Sequence, residues 1–373
     1  MKLLYLANIR LPTEKAHGLQ IMKMCEAFLS LGLEVELVVP KRRNTLKQDP
    51  FEFYSLTKKF KITRLPVLDL IGWVPRLGFW LEFFTFLLSA RIYSLFRAFD
   101  LVYTRDQIAG LFFTKTILEI HSLPAQATFF HKISWKKARR LAVLTGFIKE
   151  RLVAAGVGAE KILVSPDAVD LGKFSLNLSK SQARAELGLP ADLNLVGYVG
   201  MLKTMDMEKG IDTAISALIF LPSNTRLVLV GGHKDDIASY QQFAAGLGLS
   251  ERVKFIGQVA HNQVPKYLKA FDVLVAPFPE NEHYKFYMSP LKIFEYLASQ
   301  RPIVASDLPS LREVLNARNS LLCRPADPKD LAEKLKQIQS APDLSEKLAA
   351  QGFLDAQNYT WEKRAKGIIK KFT

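Results

Sequence analysis

Short apolar runs alternate along this chain with stretches whose apolar residues recur at helical spacing, the pattern of a parallel sheet wrapped by helices. In the first half the pattern predicts strands at Leu3 to Ala7, Val35 to Val39, Leu101 to Tyr103, Ile117 to Ile120, Leu141 to Leu144 and Ile162 to Val164. A helix from about Gly18 to Leu31 carries Leu19, Met22, Ala27 and Leu31 near helical spacing, and Gly32 is placed to end it. The second half restarts the same alternation, with strands expected at Leu195 to Val199, Arg226 to Val230, Val253 to Ile256, Val273 to Ala276 and Pro302 to Ala305. Helices are expected between them at Gly210 to Phe220, Ile237 to Leu247, Val264 to Ala270, Pro290 to Ser299, Leu308 to Leu315 and Pro328 to Ser340.

With 373 residues the chain is too long for one hydrophobic core, and the alternation breaks once, between Ser165 and Asp192. The expected fold is therefore α/β, with two Rossmann-like, doubly wound parallel-sheet domains facing across a cleft. Residues 1–165 form the first domain, 166–191 a linker with a small helix in SKSQARAELGL, and 192–359 the second domain. A basic amphipathic helix over 360–373 is expected to return to the first. Ligands of such folds bind where the strand carboxyl ends face the cleft.

Composition narrows the class. Apolar residues make up 49% and charged residues 23%, which excludes a disordered chain. The net charge is +15 and is unevenly placed: up to residue 180 there are 27 Lys/Arg against 15 Asp/Glu, and beyond it 24 against 21. A basic first half points to an anionic partner. Cys25 and Cys323 have no paired spacing, which fits a reducing compartment better than a disulfide framework. The opening MKLLYLANIR has a strand-length apolar run but no cleavable signal pattern. The most apolar segment, Gly78 to Phe99, is interrupted by Glu82, Arg91 and Arg97 and does not read as a membrane span.

Three segments of the second half carry candidate chemistry. Gly197, Gly200 and the Lys209-Gly210 pair close or follow its first strand, where glycine lets a backbone approach a ligand and a lysine adds charge for phosphate. In YMSPLKIFEYLASQRPIVASD, Ser289 is placed as a helix cap and Pro290 in the first turn, with Lys292 beside the free amides. Together they form a candidate diphosphate site, and Glu295 lies about one turn on, where a carboxylate can accept from two ribose hydroxyls. Gly257-Gln258, after the strand VKFI, leaves backbone groups for a base edge. The same residues also describe a capped amphipathic helix with a surface lysine and glutamate.

Four segments together resemble glycosyltransferase family 4, the group 1, retaining enzymes of GT-B fold. They are GYVGMLKTMDMEKGIDTAISAL, LVLVGG followed by VKFIGQV, the run FDVLVAPFPENEHYKFYMSPLKIFEYLASQRPIVASDLPSLREVL, and the closing YTWEKRAKGI. The opening LANIRLPTEKAHGLQIMKMCEAFLSLGLEVELVV and the junction SPDAVDLGKF are similar to the same family. The resemblance is strongest over residues 195–315. It implies that Lys209 and Lys292 bind the donor diphosphate with the backbone of Ser289, Pro290 and Leu291, the amides coming from Ser289 and Leu291, together with Gly200 and Lys203. It also implies that Glu295 holds the ribose, that Gly257, Gln258 and Val259 lie beside the base, and that His121 in LEIHSLP reaches the donor sugar or its departing oxygen. His17 and Gly18 match the Gly-containing loop that closes over acceptor and phosphates. His121, Lys209 and Lys292 are the implied catalytic set.

Two positions depart from the family pattern. Met201 stands where an arginine commonly follows the first-loop glycine, with Lys203 as a substitute. Tyr287 stands where an acid commonly contacts the donor sugar, leaving backbone, Tyr287, Glu280 or Glu282 for that contact. The implied activity is metal-independent transfer, with no cofactor, from a nucleotide-diphosphate sugar to a glycan or lipid-linked hydroxyl in envelope polysaccharide or glycolipid synthesis. A nucleotide-sugar 2-epimerase or a catalytically silent GT-B scaffold would share the donor half, whereas a nucleic-acid binder would need an aromatic or zinc pattern that the sequence lacks. The expected location is cytoplasmic. Basic tracts at 41–47, 58–64 and 136–140, beside Trp73 to Phe86, suggest contact with the inner face of an anionic membrane.

Overall fold

The computed structural model describes residues 1–204, 207–370 and 372. The chain divides into two compact units: residues 1–167 with 361–373, and residues 168–360.

The first unit is built on a seven-stranded sheet in the order β3-β2-β1-β4-β5-β6-β7. Its strands are β1 (Lys2–Leu6), β2 (Glu34–Pro40), β3 (Lys61–Leu65), β4 (Leu101–Thr104), β5 (Thr116–Ile120), β6 (Arg140–Val143) and β7 (Ile162–Val164), every pairing parallel. Central strands of a sheet covered on both faces are apolar almost throughout, and Leu3, Leu4, Tyr5 and Leu6 of β1 are each fully buried. The sequence pattern missed β3. It lies in the tract KKFKITR, read above only as basic, and as an edge strand it buries few of its residues. Lys61 there pairs with Glu36 on β2 at 3.0 Å.

The second unit holds a six-stranded parallel sheet in the order β12-β11-β8-β13-β14-β15 and a separate hairpin. The sheet strands are β8 (Asn194–Val199), β11 (Thr225–Val230), β12 (Val253–Gly257), β13 (Val273–Ala276), β14 (Ile303–Ser306) and β15 (Leu321–Cys323). The hairpin pairs β9 (Lys203–Thr204) with β10 (Met207–Glu208); Met205 and Asp206 of the LKTMDMEK segment lie outside the described residues. The three-residue edge strand β15 was also missed, being too short for its period to register. In each sheet the strand order reverses beside the first strand, between β1 and β4 and between β8 and β13. Such switch points open a crevice at the strand carboxyl ends.

Residues 168–191, expected as linker, belong to the second unit. The helix Lys180–Leu187 opens with a Ser179–Gln182 capping box, and buried Arg184 donates to the Ala270, Ala191 and Leu193 carbonyls and to Asp272. The chain crosses between units twice, at Asp167/Ala168 and Thr360/Trp361, and Val169 and Thr360 form a parallel bridge beside both crossings. The closing helix spans Trp361–Ile369 within the first unit. Arg140 donates to the Gly367 and Ile368 carbonyls at 3.0 and 2.8 Å. Lys371 and Thr373, the end of the expected 360–373 helix, lie outside the described residues.

Candidate donor site and the His121 network

In the second unit the site begins with the helix Leu291–Ala298. Its apolar residues Ile293, Phe294, Leu297 and Ala298 are buried, and Tyr296 ties it to the sheet by accepting from the Val199 amide at 2.8 Å. The cap position is Pro290, with φ −78° and ψ 125° and no side-chain cap bond. The expectation of Ser289 as cap and Pro290 in the first turn is therefore corrected by one residue. Proline's ring suits that boundary because it needs no amide partner there, and it shifts the first helical residue to Leu291.

Lys292 and Glu295 are three residues apart on this helix and share a face. Lys292 Nζ is shut off from solvent, has no hydrogen-bond partner and lies 3.6 Å from the centroid of the Tyr198 ring. Gly200, with φ +135°, roofs it: a Cβ on that glycine would stand 2.9 Å from Nζ. Lys209 brings a second ammonium, and the two sit 5.6 and 5.5 Å from the centroid of one ring, Phe278. Burial pushes the Lys292 pKa well below the lysine range, Lys209 pushes the same way, and Glu295 opposes. Burial alone lowers Lys209 to about 8. Two desolvated cations converging on one ring form a site for a doubly charged anion.

Glu295 keeps 13% of its side-chain surface, and burial raises its pKa to about 7 against the pull of Lys292. His261 Nε2 is 3.9 Å from its Oε1. Gly257 accepts from the Gly231 amide at 2.7 Å, and Gln258 Nε2 meets Met201 Sδ at 3.7 Å. These contacts tie the 257–259 segment, with half-buried Val259, to the turns after β11 and β8. Met201, the departure noted above, thus serves as the contact for Gln258.

Lys203 lies on β9 of the hairpin. Its ammonium pairs with Glu208 at 2.6 Å across the hairpin and lies 5.5 Å over the Tyr240 ring. Tyr287 ends the π-helical turn His283–Tyr287 and stacks on His283, whereas Glu280 pairs with Lys285. Sequence reasoning missed Tyr198, Phe278 and Tyr284, which line the lysine pair. For Tyr198 and Phe278 the signal was their place, beside Gly200 and just past the end of β13; Tyr284 lies further along, in the π-helical turn His283–Tyr287. A surface cleft of about 730 Å³, lined by Asn194, Asp272, Arg301 and Pro302 among others, opens at the amino ends of the strands, away from this site.

The first unit holds His121 directly after β5, on the same side of the strand as Glu119 two residues earlier. Glu119 is almost wholly buried and accepts from His121 Nε2 at 2.6 Å, from Arg364 at 3.0 Å, and from Gln20 and Tyr103. Burial would raise its pKa, but Arg364 and His121 hold it well below the carboxylate range. An ionised carboxylate only accepts, so Nε2 carries the imidazole proton and Nδ1 keeps a lone pair. Burial, with Arg105, lowers the His121 pKa to about 4, leaving a neutral ring.

His17 and Gly18 lie in the first turn of the helix Ala16–Ser30, not in a flexible loop as expected. Helical spacing runs two residues further back than the apolar pattern showed. A Cβ on Gly18 would stand 2.1 Å from Tyr54 Oη, which also clamps Thr13 through the Thr13 amide at 2.8 Å and carbonyl at 2.7 Å. Burial brings His17 to about 4 as well.

Residues 194–340 match the family model described as Glycosyl transferases group 1. A D-inositol 3-phosphate glycosyltransferase of Xylanimonas cellulosilytica is 27% identical over 223 residues, which is 57% of this chain and 51% of that protein. The chain spans about half the length of the curated relatives it matches. The solved sucrose-phosphate synthase of Thermosynechococcus elongatus has a TM-score of 0.78 to this chain at 21% identity, covering 100% of this chain and 98% of that one. Anabaena HepE in complex with UDP-glucose has 0.76 at 18% identity, covering 100% and 99%. These structural likenesses carry the GT-B fold of two parallel-sheet α/β domains, and the family match is confined to residues 194–340. The chain has the GT-B fold, and its residues 194–340 are similar to the group 1 glycosyl transferases.

Proposed function

We propose that this chain moves a sugar from a nucleoside-diphosphate sugar to an acceptor hydroxyl with retention of configuration and without a metal ion. The observation that carries this reading is the Lys292 ammonium, buried without a hydrogen-bond partner and set against Lys209 across Phe278. A cation held in that state is stabilised by an anion arriving from outside. A diphosphate supplies two charges for two lysines. Glu295 accepts from the ribose hydroxyls, residues 257–259 meet the base, and the amides at Leu291 and Lys292 complete the phosphate cradle. HepE carries UDP-glucose on the same fold, which supports a nucleotide-sugar donor.

In the reaction the bond from the anomeric carbon to the diphosphate oxygen breaks and a bond to the acceptor oxygen forms on the same face. The acceptor's proton passes to the departing oxygen. The protein's part is to neutralise the developing charge with Lys209 and Lys292 and to exclude water. His121, a neutral ring with a lone pair at Nδ1, accepts from a donor-sugar hydroxyl; this narrows its implied role away from donating to the departing oxygen.

The whole excess of positive charge lies on the first unit. Residues 1–167 with 361–373 carry 30 Lys/Arg against 15 Asp/Glu, and residues 168–360 carry 21 of each. That supports an acceptor presented on an anionic envelope glycan or lipid. Cys25 and Cys323 are both buried and free, which fits a cytoplasmic enzyme.

A thermal-shift screen against UDP, GDP, ADP and their sugars tests the donor reading. One nucleotide class should stabilise the protein by about 2.7 kcal/mol at a hundredfold excess over Kd. Absence of a shift with all of them overturns it. A sugar on an acceptor, rather than an isomerised donor, separates transfer from epimerisation.

A further inference from the structure

The helix Pro75–Leu95 of the first unit turns one apolar face inward and a second one outward. Phe83, Phe86, Leu87 and Ala90 pack into the sheet core. On the opposite side Leu77, Trp80, Phe84, Leu88, Ile92 and Leu95 recur at three- and four-residue steps, each between 48% and 63% exposed. Trp73 before the helix is 88% exposed and Phe96 after it 81%. Soluble surfaces rarely carry an apolar stripe of this length, about 30 Å for a 21-residue helix, and one that does marks a docking face.

Charge selects the occupant. Between Gly72 and Phe99 the charged residues are Arg76, Glu82, Arg91 and Arg97. The three arginines are exposed, and the single acid is wholly buried on the inward side. The outward side therefore mixes aromatic and aliphatic groups with cations only. A second copy docked on this face by a twofold axis would set arginines against arginines. An anionic lipid surface meets both features at once: acyl chains take the apolar stripe, and headgroup phosphates take the arginines. No helix among the described residues is long and apolar enough to cross a membrane.

We infer that the outward face of Pro75–Leu95, with Trp73 and Phe96 at its ends, lies in the interface of an anionic bilayer and holds the first unit on it. This deepens the membrane-borne acceptor proposed above; vesicle binding is measured apart from nucleotide binding, so each reading can fail alone.

The test is co-sedimentation of the full chain with vesicles of phosphatidylcholine, or of phosphatidylcholine mixed with phosphatidylglycerol. Binding should favour the anionic vesicles and weaken with salt. Trp80→Glu with Leu88→Glu should reduce it roughly tenfold or more while leaving the melting transition and nucleotide binding unchanged. Arg76→Ala with Arg91→Ala, which leaves the apolar stripe intact, should weaken it at low salt and remove most of its salt dependence. Trp73 and Trp80 are the two exposed tryptophans, whereas Trp135 and Trp361 are buried; fluorescence quenching by acyl-chain labels therefore reports this face. Three results overturn the inference: no sedimentation with anionic vesicles, sedimentation unchanged in Trp80→Glu/Leu88→Glu, or a concentration-dependent dimer that this variant abolishes without vesicle binding in the wild type.

Discussion

Each unit buries a charged side chain near the carboxyl end of its sheet, and the two are treated in opposite ways. Glu119 of the first unit receives hydrogen bonds from Tyr103, Gln20, His121 and Arg364. Lys292 of the second has no acceptor for its ammonium and rests on the Tyr198 ring. Burial alone would neutralise both; the Arg364 charge and the hydrogen bond from His121 keep Glu119 ionised, whereas Lys209 drives Lys292 further toward neutrality. A satisfied buried charge is a frame that holds other groups in place. An unsatisfied one lowers stability until a ligand supplies the missing partner.

The comparison can be broken most sharply at Glu119. Glu119→Ala leaves Arg364 buried without its carboxylate, and chemical denaturation should show a loss of about 3–5 kcal/mol. A loss under about 1 kcal/mol would mean that the network is decorative. Lys292→Met should do the reverse: unchanged or higher stability of the unliganded protein, with nucleoside-diphosphate affinity lower by about 1.5–3 kcal/mol in calorimetry. Equal affinity in wild type and variant would remove Lys292 from the phosphate site. His121→Ala should lower kcat by about tenfold or more while donor affinity changes little. A change within about twofold would assign His121 to structure alone.

The smallest effect, and the one that separates the two lysines from Glu295, is in pH. Ribose hydroxyls bond best to the ionised carboxylate, so affinity should fall as pH drops through about 7, where Glu295 gains its proton. It should fall again above about 8, where Lys209 loses its charge. Glu295→Gln should remove the acidic limb and keep the alkaline one. For the unliganded protein the sign at Glu295 is opposite: the native carboxyl holds a proton that the unfolded one releases, so its contribution to stability falls as pH rises toward 7. A profile whose acidic limb persists in Glu295→Gln would place the titration elsewhere.

Local order carried some features to the surface of the sequence. Lys292 and Glu295 share a helical face because three residues make most of a turn, and β1 and β8 declared themselves by unbroken apolar runs. Other features had no local signal. Ser289 looks like a cap, but Pro290 takes the boundary, and Gly18 looks like part of a closing loop, but Tyr54 needs the space its missing side chain leaves. Glu119, an acid inside the apolar run TILEI, was the one visible hint of a buried network.

Sequence alone determined two alternating α/β regions, the candidate phosphate-and-ribose helix, and an excess of basic residues in the first half, because periodicity, motif spacing and charge are properties of neighbouring positions. Tertiary structure decided which charges found partners. Lys292 lacks one only because Tyr198, Gly200 and Phe278 close over it from separate segments. Glu119 has four because Arg364 returns from a helix 245 residues further along. It also decided that the apolar helix at Pro75–Leu95 keeps a stripe of large hydrophobic side chains in view. Burial and partnership depend on which distant segments pack together, and that is settled only when the whole chain has folded.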